Sequence, residues 1–266
     1  MTDFKRDVNI LFWDIETLPY KGYFWGIWEQ NIPHAFIQKD KSIICISYKW
    51  FGEELVHTIN IGQDPERFER DPYDDSYVIA EFLKVLNEAD FVVAHNGDKF
   101  DYPILKARSI IHDLPAFQVR KVDTLKMAKG CGQMPRGNSL KQLALTLGLD
   151  VQKGGTSIQW WIDIAEKSSP EALDKMLHYC DDDVRVLEAV FEKLWPHCER
   201  ILPNIHRLVG GSRDVTACSR CGSVNYRKHN KYIKNVQVFQ RYICKDCGAT
   251  FLGAKALTPE EINDGQ

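Results

Sequence analysis

The sequence lacks the features that mark membrane and secreted proteins. Its longest apolar runs are far shorter than a membrane span, and the segment Met1–Asp7 contains no apolar core of a signal peptide. It also has no internal repeat and no low-complexity tract. With 44% hydrophobic and 27% charged residues, its composition is that of an ordinary globular protein. We therefore expect a cytoplasmic protein with no membrane partner.

Disulfide bonds are not indicated either, although the chain has eight cysteines. Four are scattered through the first 200 residues without pairing. The others form two Cys-x-x-Cys pairs with 22 residues between them, namely Cys218 with Cys221 and Cys244 with Cys247. Thiolates at this spacing are typical of a closed tetrahedral Zn²⁺ site. The cysteines predict one structural zinc ion presented by a hairpin, and a reducing compartment.

Charge is unevenly distributed along the chain. The formal net charge is −3, yet residues 218–256 carry eight Lys or Arg against a single acid, Asp246. This segment is therefore strongly basic, and the rest of the chain is acidic. A basic module joined to an acidic body is compatible with a metal-dependent enzyme that acts on nucleic acid.

An apolar segment near the N-terminus ends in two carboxylates. Residues 8–16 contain neither Gly nor Pro and predict a buried strand that carries Asp14 and Glu16 near its end. Because side chains alternate along a strand, both carboxylates point to the same face. Like charges so placed repel each other, and a divalent metal between them is the simplest compensation.

Alternating strands and helices are predicted after this segment. The predicted strands are 42–50, 54–61, 91–94 and 120–125, and the predicted helices are 76–88, a helix after Asp101, 140–147 and 170–195. Ser168 and Glu171 suggest a capping box for the last helix. Short turns between the opening strands indicate a mixed sheet, so the predicted fold class is α/β.

Two further acids lie where these elements begin or end. Asp101 lies at a strand-to-helix turn and Asp183 lies on the last helix. With Asp14 and Glu16 they make four carboxylates, which can hold two Mg²⁺ or Mn²⁺ ions. Two such ions roughly 4 Å apart can hold the attacking and leaving oxygens of a phosphodiester. The four acids therefore predict phosphodiester hydrolysis by metal-activated water.

The segment 19–28 is unusually aromatic. It contains Tyr20, Tyr23, Phe24, Trp25 and Trp28. One interpretation is a surface on which unpaired bases stack near the carboxylates. The other is a loop that its rings pack onto the body, and for any single ring this second interpretation is preferred.

Three motifs resemble those of a known family. They are Asp14-Ile-Glu16, Asn96-Gly-Asp-Lys-Phe100-Asp101 and Tyr179-Cys-Asp-Asp-Asp183. In this order they look like the exonuclease motifs of the DEDD 3′–5′ exonuclease superfamily, which has a ribonuclease-H-like fold. The sequence is most similar to the proofreading domains of family B DNA polymerases and their stand-alone relatives. The resemblance extends from about Asn9 to Trp195.

This resemblance implies a role for each matching residue. The ligands of two Mg²⁺ or Mn²⁺ ions would be Asp14, Glu16, Asp101 and Asp183. Tyr179 would orient the attacking water. The residues against the 3′-terminal nucleotide would be Thr17 and Leu18, and those supporting the site or contacting substrate would be Asn96 and Phe100.

The third motif fits two branches of the superfamily. Tyr179 matches the tyrosine branch (DEDDy), and His178 matches the histidine branch. Neighbours on a helix are about 100° apart, so only one of them can face the site comfortably. Tyr179 lies four residues before Asp183, on the same helix face, and is therefore the preferred choice.

Other polar residues near the motifs are assigned no ligand role. Asp181 and Asp182 are interpreted as helix-surface acids, with Asp182 a substitute ligand only in a shifted register. Asp98 and Asp123 are similarly set aside. Four histidines are interpreted as structural or solvated, namely His95, His112, His197 and His206.

The cysteine module is predicted to bind nucleic acid. Its Lys and Arg would contact phosphates, and bases would stack on Tyr226, Tyr232, Phe239 and Tyr242. Residues 240–251 also resemble zinc ribbons found beside transposases and in transcription factors. The alternative is a ribbon that docks onto a protein, for instance a polymerase.

The predicted organisation is an exonuclease domain at 1–202, a linker at 203–217, a four-cysteine zinc ribbon at 218–256 and a polar tail at 257–266. The expected activity is metal-dependent hydrolysis of single-stranded or frayed DNA from the 3′ end to nucleoside 5′-monophosphates. The alternatives are a 3′–5′ exoribonuclease, since the same four acids serve both nucleic acids in the resembled superfamily, and a catalytically vestigial nucleic-acid-binding adaptor. A separate DNA polymerase or replication protein is a further partner considered.

Overall fold

A computed structural model of the chain describes residues 9–26, 28, 31–149, 155–198, 217–218, 223–234 and 236–263. The described residues divide into two units at Leu194. The body begins at Asn9 and ends at Lys193, and the C-terminal unit contains the described residues from Leu194 onward. The predicted linker, apart from Ala217, lies outside the described residues, as do Cys221 and His206.

A five-stranded mixed sheet forms the centre of the body. Its strands are β1 (Ile10–Leu18), β4 (Ser42–Trp50), β5 (His57–Asn60), β6 (Phe91–Ala94) and β7 (Lys121–Asp123), in the order β5-β4-β1-β6-β7. β4 is antiparallel to β1 and β5, whereas β6 is parallel to β1 and β7. Between β1 and β4 lies a short antiparallel pair, β2 (Lys21–Gly22) and β3 (Ile37–Lys39). The predicted mixed α/β sheet is confirmed.

The helices of the body precede, connect and follow the last two strands. They are α1 (Pro65–Arg70), α2 (Ser76–Leu86), α3 (Asp101–Ile111), α4 (Thr124–Cys131), α5 (Leu140–Thr146), α6 (Ile158–Lys167) and α7 (Pro170–Leu194). Along the described part of the chain, none of the helices combines the length and the apolarity that crossing a bilayer requires.

Strand β1 is the central strand because both of its edges are paired and both of its faces are covered. Trp13 is fully buried and its ring stacks on Phe82 of α2, with 4.9 Å between the centroids. Phe12 points to the opposite face, where its ring meets Phe191 of α7 edge-on at 5.2 Å. The sheet therefore lies between α2 and α7. Asp14 and Glu16 share the side-chain alternation of Phe12, which directs them to the α7 side.

Several element boundaries differ from the sequence predictions. The predicted strand at 120–125 ends at Asp123, because the Asp123 carboxylate accepts the N–H of Leu125 at 2.9 Å and caps helix α4. The cap of α7 is Ser169, whose hydroxyl accepts the N–H of Ala172 at 3.3 Å. Ser168, predicted to be that cap, instead ends α6 in a left-handed conformation. Helices α1, α4 and α6 were not predicted.

The C-terminal unit contains a three-stranded antiparallel sheet. Its strands are β8 (Tyr226–Lys234), β9 (Gln237–Cys244) and β10 (Thr250–Ala256), with β9 in the middle. The third strand extends the predicted hairpin. A short helix, α8 (Pro259–Asn263), follows, and the backbone N–H of Thr258 donates to Glu261 at its start. The polar tail is therefore not wholly irregular.

One ion cluster in the body is almost completely buried. The Asp75 carboxylate, with 0% of its side chain exposed, accepts two hydrogen bonds from Arg108, at 2.8 Å from Nε and 2.6 Å from Nη2. His112 Nε2 lies 2.6 Å from the same carboxylate, and the backbone N–H of Ile43 donates to it at 2.8 Å. The cluster joins α3, the start of α2 and β4. Of the two roles expected for His112, structural or solvated, the structure shows the structural one.

Removing the arginine of this cluster is expected to destabilise the body strongly. Arg108→Ala leaves the buried Asp75 carboxylate without its bidentate partner, and breaking a buried ion pair costs about 3–5 kcal/mol. The free energy of unfolding in urea at neutral pH measures this effect. Lys84→Ala, which breaks the exposed pair with Glu81, is the control and should change it little. Equal effects of the two substitutions would contradict the assigned importance of the cluster.

Candidate functional site

Three carboxylates meet on the α7 side of strand β1. Asp14, Glu16 and Asp183 each offer an oxygen, and these oxygens lie within 4.8 Å of one another. Asp14 and Glu16 are brought together by the two-residue repeat of the strand. Asp183 comes from α7, where only 3% of its surface is exposed. Three of the four predicted ligands are thus collected in one place.

Helix α7 is held against β1 close to these acids. The buried thiol of Cys180 donates to the backbone carbonyl of Asp14 at 3.6 Å, and its sulfur lies 3.8 Å from Asp14 Oδ2. Cys180 precedes Asp183 by three residues, so the two side chains project from adjacent turns of one helix face. The contact fixes the height of Asp183 relative to Asp14. Burial raises the pKa of the Cys180 thiol well above its ordinary value, with a smaller contribution from Cys45.

The fourth predicted ligand, Asp101, lies at the N-terminal end of α3 and is 1% exposed. Its burial raises its pKa from 3.8 to about 7. Hydrogen bonding from its own backbone N–H and from that of Ile15 lowers the pKa, and the Asp123 carboxylate raises it. The contact with Ile15, the residue between Asp14 and Glu16, places Asp101 beside the same part of β1. Asp101 is not within the 4.8 Å group formed by the other three acids.

The chemistry of these residues fits a divalent metal ion. The donor atoms are all carboxylate oxygens, which Mg²⁺ and Mn²⁺ prefer. Two oxygens on one octahedral Mg²⁺ are about 3–4 Å apart. The oxygens of the carboxylate trio lie within 4.8 Å of one another, close enough to share an ion. Asp101 Oδ1 is buried and has no hydrogen-bond partner among the described residues. A buried acceptor of this kind is costly unless a cation or a donor reaches it.

The turn after β6 is held in place by Asp123. One oxygen of this carboxylate accepts the backbone N–H of Asn96 at 2.9 Å, in addition to that of Leu125. Asn96 adopts a positive φ of 60°, a conformation that Asn tolerates better than most residues. His95 Nδ1 lies 2.9 Å from the hydroxyl of Thr124. Asp123 is therefore a structural residue that connects β7, α4 and the turn that leads to Asp101.

A cleft of about 500 Å³ opens beside the acids. It is lined by Asp14, His95, Asn96, Leu125, Lys129, Asn138, Ser139, Leu140 and Asp183. The sequence predicted a site role for Asn96 but none for Lys129 or Asn138, and His95 was interpreted as structural or solvated. His95 contacts the hydroxyl of Thr124 and also lines the cleft, so it is both a structural residue and a residue of the site. Lys129 carried no sequence signal because α4 itself was not predicted.

The two candidates in the third motif are placed differently. The side chain of His178 is 77% exposed and lies 3.6 Å from Asp174 on the outer face of α7. Tyr179 is half-buried and packs against the core of the body. This difference follows from the rotation of about 100° between neighbouring helix residues.

Asp181 is not the helix-surface acid that the sequence suggested. Its Oδ1 accepts the hydroxyls of Ser47 at 2.6 Å and Thr58 at 2.5 Å, so it joins α7 to strands β4 and β5. Asp182 does lie at the surface, where it pairs with Arg185 at 2.9 Å. Asp98 pairs with Lys126 and Lys121. These contacts give each of the three acids a structural partner.

The predicted nucleotide contacts are only partly accessible. The side chain of Leu18 is fully buried in the core, so the predicted contact between this side chain and a nucleotide is wrong. Thr17 is half-buried, and its carbonyl accepts Nε1–H of Trp161 on α6 at 2.9 Å. Phe100 is 38% exposed, and Lys41 Nζ lies 5.4 Å above its ring.

Comparison with known proteins identifies the body. A sequence profile of the RNase H superfamily matches residues 33–195, which include Asp101 and Asp183 and make up more than half of the chain. The chain belongs to the RNase H superfamily. Members of this superfamily are generally nucleases. Strand β1, with Asp14 and Glu16, precedes the matched residues.

A structural comparison agrees with this assignment of the fold. The chain is similar to the family B DNA polymerase from the hyperthermophilic archaeon Pyrobaculum calidifontis, with a TM-score of 0.53 and 17% sequence identity. The similarity covers 86% of this chain but only 31% of the polymerase, so the chain spans about a third of that protein's length. No curated protein matches the sequence. The RNase H-like fold expected from the motifs is confirmed.

Outside the RNase H body, a second cluster of side chains with the chemistry of metal ligands lies in the C-terminal unit. The sulfurs of Cys218, Cys244 and Cys247 lie within 4.8 Å of one another, and Cys218 Sγ is 3.6 Å from Cys247 Sγ. Sulfurs around one Zn²⁺ are about 3.8 Å apart, given Zn–S bonds of about 2.3 Å in a tetrahedron. Gly248 has a positive φ of 72°, and its N–H donates to the carbonyl of Cys244 at 3.0 Å. The three cysteines therefore fit a zinc ion.

Two aromatic residues of the C-terminal unit, which were expected to stack on bases, have a packing role that the sequence did not predict. Tyr226 and Tyr242 pack with Phe251 around the cysteines, with ring centroids 4.8–5.6 Å apart. Both tyrosines are half-buried against the small core of this unit, so they have a packing role in addition to any contact with bases. Tyr232 remains 38% exposed, with the guanidinium of Arg241 at 4.8 Å from its ring centre.

The aromatic segment near β1 is exposed rather than packed. The exposed fractions are 60% for Tyr20, 70% for Tyr23, 58% for Phe24, 93% for Trp25 and 82% for Trp28. The preferred sequence interpretation, in which these rings pack onto the body, is therefore wrong. A polar sequence would meet solvent at less cost, so this exposure needs a functional explanation.

The raised pKa of Asp101 predicts a pH dependence of stability without metal. The unfolded chain releases this proton near pH 3.8, whereas the folded protein holds it until about pH 7. The stability it contributes is present at low pH and is lost as the pH rises through 7, by at most about 4 kcal/mol. In EDTA, Asp101→Asn should show a smaller loss of unfolding free energy between pH 5 and 8 than the wild type. Glu54→Gln, at an exposed carboxylate, should behave like the wild type, and identical pH profiles for all three proteins would contradict the assignment.

Proposed function

We propose that the chain is a metal-dependent 3′–5′ exonuclease that hydrolyses single-stranded or frayed DNA to nucleoside 5′-monophosphates. The observation that carries this proposal is the convergence of Asp14, Glu16 and Asp183 on one face of β1, with buried Asp101 beside the same strand. Membership of the RNase H superfamily supports nuclease chemistry. The 3′–5′ direction and the preference for DNA rest on the three sequence motifs.

Each residue of the proposed site has a separate task. Asp14, Glu16, Asp101 and Asp183 would hold two Mg²⁺ or Mn²⁺ ions, which when bound acidify a water and stabilise charge on the departing oxygen. Asp101 must release its proton to act as a ligand. Its raised pKa delays this release until about pH 7 in the metal-free protein, and a bound cation would favour the carboxylate form. Tyr179, one helical turn from Asp183, would orient the attacking water through its hydroxyl. His178 is directed to solvent and has no task in this proposal.

The cleft supports a substrate with a phosphate and a polar sugar. His95, Asn96, Asn138 and Ser139 offer hydrogen-bonding groups, and Lys129 adds a positive charge. A 3′-terminal nucleotide in this cleft would place its phosphodiester beside Asp14 and Asp183, which line the same space. A ribose would meet the same polar groups as a deoxyribose. RNA is therefore the alternative substrate, and its 2′-hydroxyl distinguishes it in the assay.

The C-terminal unit would act as a zinc ribbon that increases the hold on nucleic acid. Cys221, together with the three clustered cysteines, would complete a tetrahedral site. Arg227 and Lys228 are exposed on β8, in a segment with eight basic residues and one acid. Such a surface favours phosphate backbones. Docking onto a polymerase or another replication protein remains the competing role of the ribbon.

A digestion assay tests the nuclease activity. We expect the wild type with Mn²⁺ or Mg²⁺ to release mononucleotides from the 3′ end of a 5′-labelled single strand, and to be inactive in EDTA. Asp14→Ala should lower the rate by at least about a hundredfold, because it removes a metal ligand. DNA and RNA strands of one sequence give the sugar preference. No degradation in Mn²⁺, or equal degradation by Asp14→Ala, would refute the enzyme proposal and favour an adaptor.

Two neighbouring substitutions refine the same assay. Tyr179→Phe removes only the hydroxyl and should lower the rate about 10²- to 10⁴-fold, as expected for a group that orients the attacking water. His178→Ala is the matched control on the exposed side of the helix and should retain activity. Loss of activity in His178→Ala together with retention in Tyr179→Phe would assign the role to the histidine.

Zinc content tests the ribbon. The purified protein should contain one Zn²⁺ per chain, and Cys244→Ser should lose it, because Cys244 is a buried member of the cysteine cluster. The affinity of the Cys244→Ser variant for a single-stranded oligonucleotide should be lower than that of the wild type, and the salt dependence of that affinity should be shallower. Cys131→Ser, which changes a cysteine of the body, is the control. Zinc loss without a change in affinity would favour protein docking.

A further inference from the structure

The aromatic segment, residues 19–28, starts three residues after Glu16. β1 carries Glu16 and ends at Leu18, and the chain then enters the short pair β2–β3. Tyr23 lies directly after β2, and its backbone N–H donates to the carbonyl of Phe36 at 2.9 Å. The segment is thus tied at its base to the strand that carries two of the clustered acids. Its rings nevertheless remain exposed, most of all Trp25 at 93%.

The base of the segment is braced against the rest of the body. Trp161 donates to the carbonyl of Thr17 at 2.9 Å, and Lys21 pairs with Glu166 at 2.9 Å, so α6 holds both sides of the exit from β1. On the neighbouring strand, Lys39 pairs with Asp71 at 2.6 Å. These contacts restrain the point from which Tyr23, Phe24 and Trp25 project.

A second exposed ring links this base to the acid site. Phe100 is 38% exposed and directly precedes Asp101. Lys41 Nζ lies 5.4 Å above its ring, and Lys41 occupies the turn between β3 and β4, next to the Leu18–Ser42 pair. Exposed rings therefore occur both beside the buried acid Asp101 and beyond the end of β1, and the β3–β4 turn connects them.

The chemistry of this surface favours bases over phosphates. Its exposed side chains are Tyr, Phe and Trp, whose flat π faces suit base stacking. Two of the lysines around its base, Lys21 and Lys39, are paired with carboxylates, so their charges are offset, and a third, Lys41, lies over the Phe100 ring. A surface of this kind binds the bases of a single strand and leaves the phosphates to other cations.

We propose that Tyr23, Phe24 and Trp25 form a stacking platform for unpaired bases of a strand whose 3′ end occupies the acid site. The proposal rests on the proposed exonuclease function and adds to it a binding site for the substrate upstream of the cleaved nucleotide. Because duplex bases already stack on one another, the platform favours single-stranded over paired substrate.

Binding measurements with two oligonucleotides test the platform. The full chain carrying Asp14→Ala, in EDTA, is titrated into a 5′-fluorescein-labelled thymidine 12-mer that it cannot degrade. A second 12-mer has the same backbone and charge but lacks every base except the two at its 3′ end. Fluorescence anisotropy gives the two affinities, which are compared with those of Tyr23→Ala/Trp25→Ala in the same background.

The double substitution should weaken binding of the normal 12-mer by at least about tenfold, because stacking on each ring contributes several-fold or more to affinity. Binding of the second 12-mer, which has bases only at its 3′ end, should be unchanged, and so should the salt dependence of the affinity. Trp25→Leu, which keeps an apolar side chain but removes the π face, should also weaken binding. Ile110→Ala, at an exposed apolar residue of α3, is the control and should have no effect.

Two results would overturn the platform. The first is unchanged affinity of Tyr23→Ala/Trp25→Ala for the normal 12-mer, which would leave the rings to a protein partner. The second is an equal loss of affinity for both oligonucleotides, which would mean that the rings do not recognise bases.

Hydrolysis of a thymidine dinucleotide by chains with Asp14 intact is the separate test of function. If the wild type and the double variant hydrolyse the dinucleotide equally, a failed binding test refutes the platform alone. If the two proteins hydrolyse neither the dinucleotide nor longer strands, the exonuclease proposal fails.

Discussion

Repulsion among carboxylates is the constraint on which the rest of the body depends. Asp14, Glu16 and Asp183 bring oxygens within 4.8 Å of one another, and Asp101 is buried beside the same strand. Such a group opposes folding unless a cation is present or packing elsewhere offsets its cost. Strand β1 meets this demand because both of its edges are paired and both of its faces are covered by large aromatic side chains.

Contacts around the site explain how three separate parts of the chain hold their acids in a defined geometry. The packing of Phe12 on Phe191 and the contact of Cys180 with Asp14 hold α7 against β1. Asp181 and Glu188 extend this attachment along the helix, through Ser47 and Thr58 and through Lys49. Asp123 holds the turn that leads to Asp101. Polar residues that resemble spare ligands in the sequence thus position the proposed ligands.

The two surfaces proposed for nucleic acid differ in the force they use. The aromatic segment offers exposed rings, and Lys21 and Lys39 at its base are paired, so its proposed contribution to binding would depend little on salt. Residues 218–256 offer eight basic residues, and their proposed contribution would fall as salt rises. The core formed by the described residues of the C-terminal unit, three aromatic rings and three cysteines, is too limited to be stable without help. A structural zinc ion would supply that help, since binding of a metal to a folded site adds directly to folding free energy.

By itself, the sequence determined the class of the body and the residues of its acid site. An apolar run without Gly or Pro that ends in Asp14 and Glu16 predicts a buried strand with both acids on one face, and helical spacing sets Asp183 one turn after Tyr179. These are local regularities, which the two-residue and 3.6-residue periods make readable. The tertiary structure alone decided that the aromatic rings are exposed, that Leu18 is buried, that Asp181 binds two hydroxyls and that Lys129 lines the cleft. The burial of a side chain and its partners depend on segments that are distant in the chain. The period of a strand or a helix contains no information about which of these segments packs against it.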